Sequence, residues 1–107
     1  MTPPLQITYF SNMFLPYCVY ILFSHHDHQL YIGYSANLDE RIKDHNRGGV
    51  FSTKGRRPLE LIYCEFHKSK TDASRREEYL KTTAGKKAIK LMLRNSLKEL
   101  KYRHRLD

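Results

Sequence analysis

The sequence predicts an α+β domain in which a small three-stranded antiparallel sheet is flanked by helices, with the elements in the order ββαβαα. Three observations lead to this prediction. Two runs of aromatic and β-branched residues are joined by a short polar segment, a third such run follows a glycine-rich loop, and two later stretches have helical periodicity. A length of 107 residues suits a single domain.

The first two strands are predicted to form a hairpin. Residues 17–23 are apolar, aromatic or β-branched, and residues 30–34 are a second, shorter run of the same kind. The polar residues between them, with a turn at His26 and Asp27, favour antiparallel pairing. The histidines of this segment could suggest a zinc site, but structural zinc usually draws its ligands from separated pairs, so a turn is the simpler interpretation.

Alternation of side chains places several reactive residues together on this hairpin. Cys18, Tyr20 and Leu22 share one face of the first strand, and Tyr31 shares a face with Gly33 in the second. Pairing can therefore bring Tyr20 and Tyr31 side by side. Gly33 indicates a close approach to the backbone, because glycine otherwise weakens a strand interior. Aromatic residues are also favoured in strands for packing alone, so a structural role for the tyrosines stays open.

A first helix is predicted over residues 38–46. Asn37 can cap it, with Glu40 at the spacing of a capping box, and two glycines follow its end. Residues 47–58 are predicted to form a loop, and residues 59–66 a third strand.

The remaining residues are predicted to be helical. Thr71 or Asp72 can cap a second helix that continues to about residue 82. Residues 82–85 break this pattern. A last helix is predicted from residue 86 to about residue 102, because apolar residues recur there at spacings of three or four.

The first residues differ from the rest. Residues 1–12 contain two adjacent prolines and no clear period, so they are predicted to be a loose extension. Residues 13–107 then form the single domain, which should fold without the extension.

The charge of the chain is concentrated in one part of it. Lysine and arginine number 19 against 11 acidic residues, a net charge of +8. Residues 1–67 hold six basic and six acidic groups, whereas residues 68–107 hold thirteen and five, so the second part carries the whole excess. Such an asymmetry favours a polyanionic partner, although a basic surface without a ligand is the alternative.

The cysteines and the hydropathy pattern predict a cytoplasmic protein. Cys18 and Cys64 each lie inside a strand-like run, and a small secreted scaffold would contain more cysteines. No apolar run approaches the roughly 20 residues of a membrane span. The first residues lack the pattern of a signal peptide. We therefore expect reduced thiols and no membrane partner.

Arg41 and His45 are candidate phosphate-site residues on the first helix. They are four residues apart, so they lie on one face. An arginine can hold a phosphate bidentately, and a histidine can donate to phosphate or relay a proton. The alternative is an ordinary solvated helix, because several neighbouring residues are also charged.

Glu77 is the candidate metal ligand, with Glu78 as its less favoured neighbour. Both lie in a basic stretch, and Mg²⁺ prefers oxygen ligands and keeps several waters. The alternative is an ion pair between Glu77 and Lys81, which are four residues apart.

The ordered set of these motifs resembles the GIY-YIG nuclease family, and above all its small single-domain bacterial members. The likeness covers about residues 16–95, and its most specific part is Tyr31-Ile32-Gly33 followed by Arg41. The first triplet reads Cys18-Val19-Tyr20 where the family name has Gly-Ile-Tyr, but the tyrosine is kept.

The resemblance implies a metal-dependent DNA endonuclease, acting in DNA repair, recombination or restriction-type processing. Mg²⁺ or Mn²⁺ would be the cofactor, no small-molecule cofactor would be needed, and a water would attack phosphorus. Tyr20 matches the proposed general base, Tyr31 a residue that positions water or phosphate, and Arg41 a residue that stabilises phosphate charge. His45 matches a frequent family histidine and Glu77 the metal ligand. Asn95 is the candidate for a further family position.

Basic residues near these motifs are the predicted contacts to DNA. They lie in the loop and on the second helix, and comprise Lys54, Arg56, Arg57, Arg75, Arg76 and Lys81. DNA binding should therefore weaken with salt. Two other functions are alternatives to the endonuclease. One is a non-catalytic nucleic-acid-binding module on the same fold, and the other is an accessory protein whose basic helices contact a protein partner.

Overall fold

The structure, a computed structural model, describes residues 14–103 and confirms the predicted α+β class. Three strands form one antiparallel sheet in the spatial order β2-β1-β3. The order ββαβαα is observed, with the last helical segment divided in two. The elements are β1 (Tyr17–Ser24), β2 (Leu30–Ser35), α1 (Leu38–Asn46), β3 (Leu59–His67), α2 (Lys70–Leu80), α3 (Thr83–Met92) and α4 (Arg94–Glu99).

The prediction that residues 1–12 form a dispensable extension concerns residues outside those described. Within residues 14–103, no helix is long and apolar enough to cross a membrane.

The central strand β1 is buried along almost its whole length and contributes to two cores. Val19 and Ile21 pack on one face of the sheet with residues of α2 and α3. Tyr20 and Leu22 lie on the opposite face, where α1 contributes to the covering layer. The alternation predicted for this strand is therefore confirmed.

Helix α1 has the predicted bounds because its ends are specified locally. The Asn37 side chain accepts a hydrogen bond from the Glu40 backbone N–H at 3.3 Å. After the helix, Gly48 adopts a φ of +81°, a conformation that favours glycine and ends helices. Arg41 and His45 consequently lie on one face, as predicted.

The predicted cap of α2 is wrong. Ser69, not Thr71 or Asp72, accepts the capping hydrogen bond, from the Asp72 N–H at 3.3 Å. Ser69 has extended backbone angles directly after β3, so its hydroxyl faces the first free N–H groups. The helix ends at Leu80, two residues earlier than predicted.

The predicted break over residues 82–85 is shorter than expected. Thr82 accepts a hydrogen bond from the Gly85 N–H at 3.0 Å and begins α3, so Gly85 lies inside that helix. A Cβ atom at Gly85 would overlap the Tyr79 carbonyl. The glycine thus permits close packing of α3 against the end of α2 and does not break a helix.

The predicted continuous helix over residues 86–102 is also wrong. The chain leaves helical geometry at Leu93, with φ −112° and ψ 24°, and α4 begins at Arg94. Ile89 and Leu97 are buried on the two sides of this junction. Because the apolar spacing continues across Leu93, periodicity alone could not locate the division.

Candidate active site

Tyr20 is the central residue of the candidate site. Its side chain is fully buried on the α1 face of the sheet, and its hydroxyl lies 2.8 Å from Nε2 of His45. Gly33 is its partner on β2, and a Cβ atom at Gly33 would overlap the Tyr20 ring. The group that closely approaches the backbone at Gly33, as predicted from this glycine, is therefore the Tyr20 ring.

Tyr31 completes a cluster of three rings. It faces Leu22 in the sheet register, two pairs along from the Tyr20–Gly33 pair and on the same face of the sheet. Its ring centroid lies 6.4 Å from that of Tyr20 and 5.2 Å from that of His45. The hairpin and α1 thus bring the two tyrosines and the histidine together, as the sequence suggested.

His45 has a protein partner at each ring nitrogen. Nε2 is hydrogen-bonded to the Tyr20 hydroxyl, and Nδ1 lies 2.7 Å from Oγ1 of Thr53. Thr53 is fully buried, and its Oγ1 is 3.5 Å from the Val50 carbonyl oxygen. Thr53 was not predicted from the sequence, because a threonine in an irregular loop has no periodicity that could mark it.

Arg41 lies one helical turn before His45. Its Nε atom is buried and, among residues 14–103, has no hydrogen-bond partner. Interactions with Tyr20 first, and also with Tyr31, raise the pKa of the guanidinium above its ordinary value, so the group stays charged. A buried charged donor without a partner is costly, and an anion would satisfy it.

Burial keeps both members of the Tyr20–His45 pair uncharged at neutral pH. Desolvation raises the pKa of Tyr20 to about 12, although Arg41 opposes this shift and Tyr31 and Glu77 add to it. Desolvation, together with the charge of Arg41, lowers the pKa of His45 below its ordinary value of 6.5. The phenol therefore holds its proton, and the imidazole is a free base.

Glu77 lies on α2, close enough to Tyr20 for its charge to act on the phenol. Its charge contributes to the raised pKa of Tyr20. The side chain is 22% exposed, and its Oε2 lies 3.1 Å from the Lys81 ammonium, so the ion pair considered as an alternative is present. Glu78 is exposed.

Comparison with known proteins agrees with this geometry. Residues 16–90 match the model of the GIY-YIG catalytic domain. The chain belongs to the GIY-YIG family. This is a nuclease family, and the hairpin that pairs Tyr20 with Gly33 contains its Tyr-Ile-Gly motif and the tyrosine of its first motif.

Relatives with similar sequences are small proteins. A UPF0213 protein from Clostridium perfringens is 40% identical over 82 residues, which cover 76% of this chain and 88% of the relative. UPF0213 proteins from Staphylococcus haemolyticus and Staphylococcus aureus are 43% and 40% identical over 67 residues, or 62% of this chain and 82% of each relative. No solved structure matches the chain.

The GIY-YIG site suits a hard cation held by few protein ligands. No group of three or more His, Cys, Asp and Glu side chains that could hold a metal occurs in residues 14–103. The Glu77 carboxylate is an oxygen donor, and Mg²⁺ can be bound through one or two carboxylates with waters and substrate phosphates. The histidine-containing segment after β1 is a turn, as predicted.

The loop residues predicted to contact DNA are not equally available for binding it. Lys54 and Arg57 are exposed. Arg56 instead donates from Nε to Asp27 at 2.6 Å and from its terminal nitrogen to the Leu30 carbonyl at 3.3 Å. Burial alone would raise the pKa of Asp27, but hydrogen bonds, that from Arg56 foremost, lower it to about 2. Arg56 thus joins the loop to the hairpin turn.

The predicted contacts on α2 also differ. Arg75 is exposed and donates to Asp72 at 2.7 Å. Arg76 donates from Nε to Glu65 of β3 at 2.8 Å, in a half-buried pair. Lys81 pairs with Glu77, and Asn95 is exposed on α4.

Proposed function

We propose that this GIY-YIG domain is a metal-dependent endonuclease that hydrolyses phosphodiester bonds in DNA. One observation carries the proposal. The buried, unpartnered Nε of Arg41 lies in the same cluster as the hydrogen-bonded Tyr20–His45 pair. An anion-binding donor beside a proton-transfer pair is the combination that phosphodiester hydrolysis requires.

The direction of proton transfer follows from the partners of His45. The Thr53 hydroxyl can donate to the Val50 carbonyl, so its oxygen accepts from Nδ1–H of His45. Nε2 then carries a lone pair and accepts from the Tyr20 hydroxyl. We assign the tautomer on this basis.

This chain of hydrogen bonds allows Tyr20 to act as a base despite its high pKa. As water oxygen attacks phosphorus, its proton moves to the Tyr20 oxygen, while the phenol proton moves to Nε2 of His45. The bond from phosphorus to the leaving oxygen breaks. A free phenolate, which burial disfavours, need not accumulate.

Arg41 and Tyr31 would bind the phosphate. The Nε–H of Arg41 can donate to a non-bridging oxygen, and its charge stabilises the negative charge that develops there. The Tyr31 hydroxyl, in the same ring cluster, would position the water or the phosphate. Holding the reactants in this way lowers the entropic part of the barrier.

Glu77 would hold Mg²⁺ or Mn²⁺. The bound ion would polarise the phosphoryl oxygen and stabilise the leaving oxygen. Lys81 now pairs with this carboxylate, and would be available to a DNA phosphate when the pair opens.

Three cations, Lys54, Arg57 and Arg75, are exposed and are not held in the half-buried ion pairs, so they can contact DNA phosphates. Their availability supports DNA as the substrate. The free thiols Cys18 and Cys64 support a reducing, cytoplasmic setting. DNA repair, recombination or restriction-type processing would be the role.

A non-catalytic nucleic-acid-binding module is the second candidate. The Glu77–Lys81 ion pair favours it, because a carboxylate that stays bound to lysine cannot anchor a metal.

A cleavage panel separates the two functions. Labelled single-stranded, duplex, gapped and branched DNA are incubated with the protein in Mg²⁺, in Mn²⁺ and in chelator. We expect cleavage of at least one DNA with metal and none with chelator. Binding without cleavage of any DNA in either metal would establish the binding module instead.

A further inference from the structure

Phe51 has the most exposed large apolar side chain in the described part of the chain, with 92% of its surface open to solvent. Leaving a phenyl ring in water forgoes roughly 1.5–3 kcal/mol of burial energy. Single exposed apolar residues are common, so exposure alone assigns no role. The position and the rigidity of this residue distinguish it.

Phe51 is displayed from a turn that is attached to the candidate active site. On one side of it Val50 is buried, and on the other side Thr53 is fully buried. The Val50 carbonyl accepts from the backbone N–H groups of Thr53 at 3.1 Å and of Lys54 at 2.9 Å. The Thr53 hydroxyl in turn bonds to His45 at 2.7 Å. The backbone that carries the ring is therefore held in place before any ligand arrives, which reduces the entropic cost of binding.

The exposed residues that neighbour Phe51 along the loop are cationic or small, and none of them is a large apolar residue. Lys54 and Arg57 are exposed on the same loop, and Nε of Arg57 donates to the Lys54 carbonyl at 3.1 Å. Along the chain, the exposed neighbours Gly49 and Ser52 add no apolar surface. A protein-docking patch would be contiguous and apolar. An aromatic ring on a fixed backbone, with cations on the same loop, is instead the arrangement that binds unpaired nucleic acid, with bases stacked on the ring and phosphates on the cations.

Stacking on Phe51 requires a base with an open face. In a continuous duplex each base face is covered by its neighbours, and a protein reaches only the base edges. An unpaired, terminal or extruded base offers its face to an aromatic side chain.

We infer that Phe51 stacks on an unpaired base beside the phosphate to be cleaved, so that the enzyme selects DNA with unpaired nucleotides over continuous duplex. This inference rests on the proposed function and specifies its substrate class. Gapped, flapped or branched DNA would bind more tightly than matched duplex of equal length.

The test is a binding experiment without metal, so that its result does not depend on cleavage. Duplex and gapped DNA carry a fluorescent adenine analogue, which is unpaired in the gapped DNA and whose emission falls when it stacks. The wild-type protein is compared with Phe51→Leu, which keeps an apolar side chain but removes the ring, and with Phe51→Tyr, which keeps the ring. Phe14→Ala, at the other end of β1 from the loop, is the control for an exposed aromatic residue.

We expect wild type, Phe51→Tyr and Phe14→Ala to quench the analogue in gapped DNA. Phe51→Leu should lose the quenching and bind gapped DNA about 5- to 150-fold more weakly, with less than about a twofold change for matched duplex. Equal quenching and affinity for Phe51→Leu, or an equal loss on duplex, would overturn the inference. If wild type binds and cuts DNA while Phe51→Leu is unchanged, only the stacking fails. If wild type binds no DNA, the DNA substrate of the proposed function fails as well.

Discussion

The two faces of the sheet share strand β1 but differ in chemistry. On the α2–α3 face, Val19 and Ile21 pack against apolar side chains such as Leu80 and Ile89, all of them buried. On the α1 face, Tyr20 is equally buried but is hydrogen-bonded to His45. Alternation along one strand thus supplies an apolar core and a polar cluster from successive residues.

The difference shows how this small domain combines stability with reactivity. The apolar face gains free energy from burial and fixes the position of β1. The α1 face contains a buried charged donor of Arg41 without a partner and a phenol whose burial raises its pKa to about 12. The unpartnered buried donor reduces stability, and sites of this kind are found where function requires them.

The largest effect that would sharpen this comparison is expected for Tyr20→Phe. The change keeps the ring but removes the hydroxyl that, in the proposed mechanism, takes the proton of the water. We expect the single-turnover cleavage rate to fall about 10²- to 10⁴-fold. The free energy of unfolding, measured with denaturant, should change by no more than about 1.5 kcal/mol. A loss of several kcal/mol with an unchanged rate would place Tyr20 with the structural residues.

Leu80→Ala should have the opposite profile. Leu80 is fully buried on the α2–α3 face, so the cavity should lower the free energy of unfolding by about 2–5 kcal/mol. The cleavage rate of the folded fraction should stay close to that of wild type. Leu91→Ala, at a residue that is 67% exposed, is the matched control and should change stability by less than about 0.5 kcal/mol. A catalytic defect in folded Leu80→Ala would remove the distinction between the faces.

Arg41→Met tests the cost of the polar face. The substitution removes the buried unpartnered Nε and keeps a long apolar stem. We expect the free energy of unfolding to change by less than about 1.5 kcal/mol, because loss of the interaction with Tyr20 offsets removal of the unpartnered Nε. DNA cleavage should fall strongly, because a charge-assisted phosphate contact is lost. A destabilised protein would indicate that Arg41 is structural. Lys43→Met, at an exposed residue of the same helix, is the control.

Thr53→Val should have the smallest catalytic effect and should change the pH profile. In the proposed mechanism cleavage requires neutral His45. Burial and Arg41 lower the pKa of His45, while Asp44 raises it. Activity should therefore be lost as the pH falls through a midpoint below 6.5, and not at 6.5 itself. The variant loses the acceptor for Nδ1–H, so we expect about a tenfold lower rate at pH 7 and an altered acid limb. Thr53→Ser, which keeps the hydroxyl, should restore both the rate at pH 7 and the acid limb of the pH profile. Identical pH profiles for Thr53→Val and wild type would exclude a positioning role for Thr53.

Local sequence patterns were sufficient for the sheet and for half of the site. Strand alternation predicted that Tyr20 shares a face with Cys18 and Leu22, and Gly33 predicted a close approach to the backbone. The cap at Asn37 fixed the start of α1 and therefore the helix face on which Arg41 and His45 lie. These features depend on neighbours a few residues away.

Features that depend on contacts between distant segments were not predictable. Thr53 reaches His45 only because the loop is held by tertiary bonds, such as that from the Ser24 hydroxyl to the Arg56 carbonyl at 2.6 Å. The packing role of Gly85 depends on the position of α2 against α3. The roles of Glu77 and of the other site residues in catalysis remain predictions.

The central claim is that the α1 face, completed by Glu77, is a metal-dependent active site. Its most direct test is the single-turnover cleavage rate as a function of Mg²⁺ concentration for wild type, Glu77→Gln and the matched control Glu78→Gln. We predict a rate that rises with Mg²⁺ and saturates for wild type and Glu78→Gln. Glu77→Gln should bind DNA without cleaving it at any Mg²⁺ concentration. Cleavage by Glu77→Gln at the wild-type rate would contradict the claim and leave Glu77 as the partner of Lys81 alone.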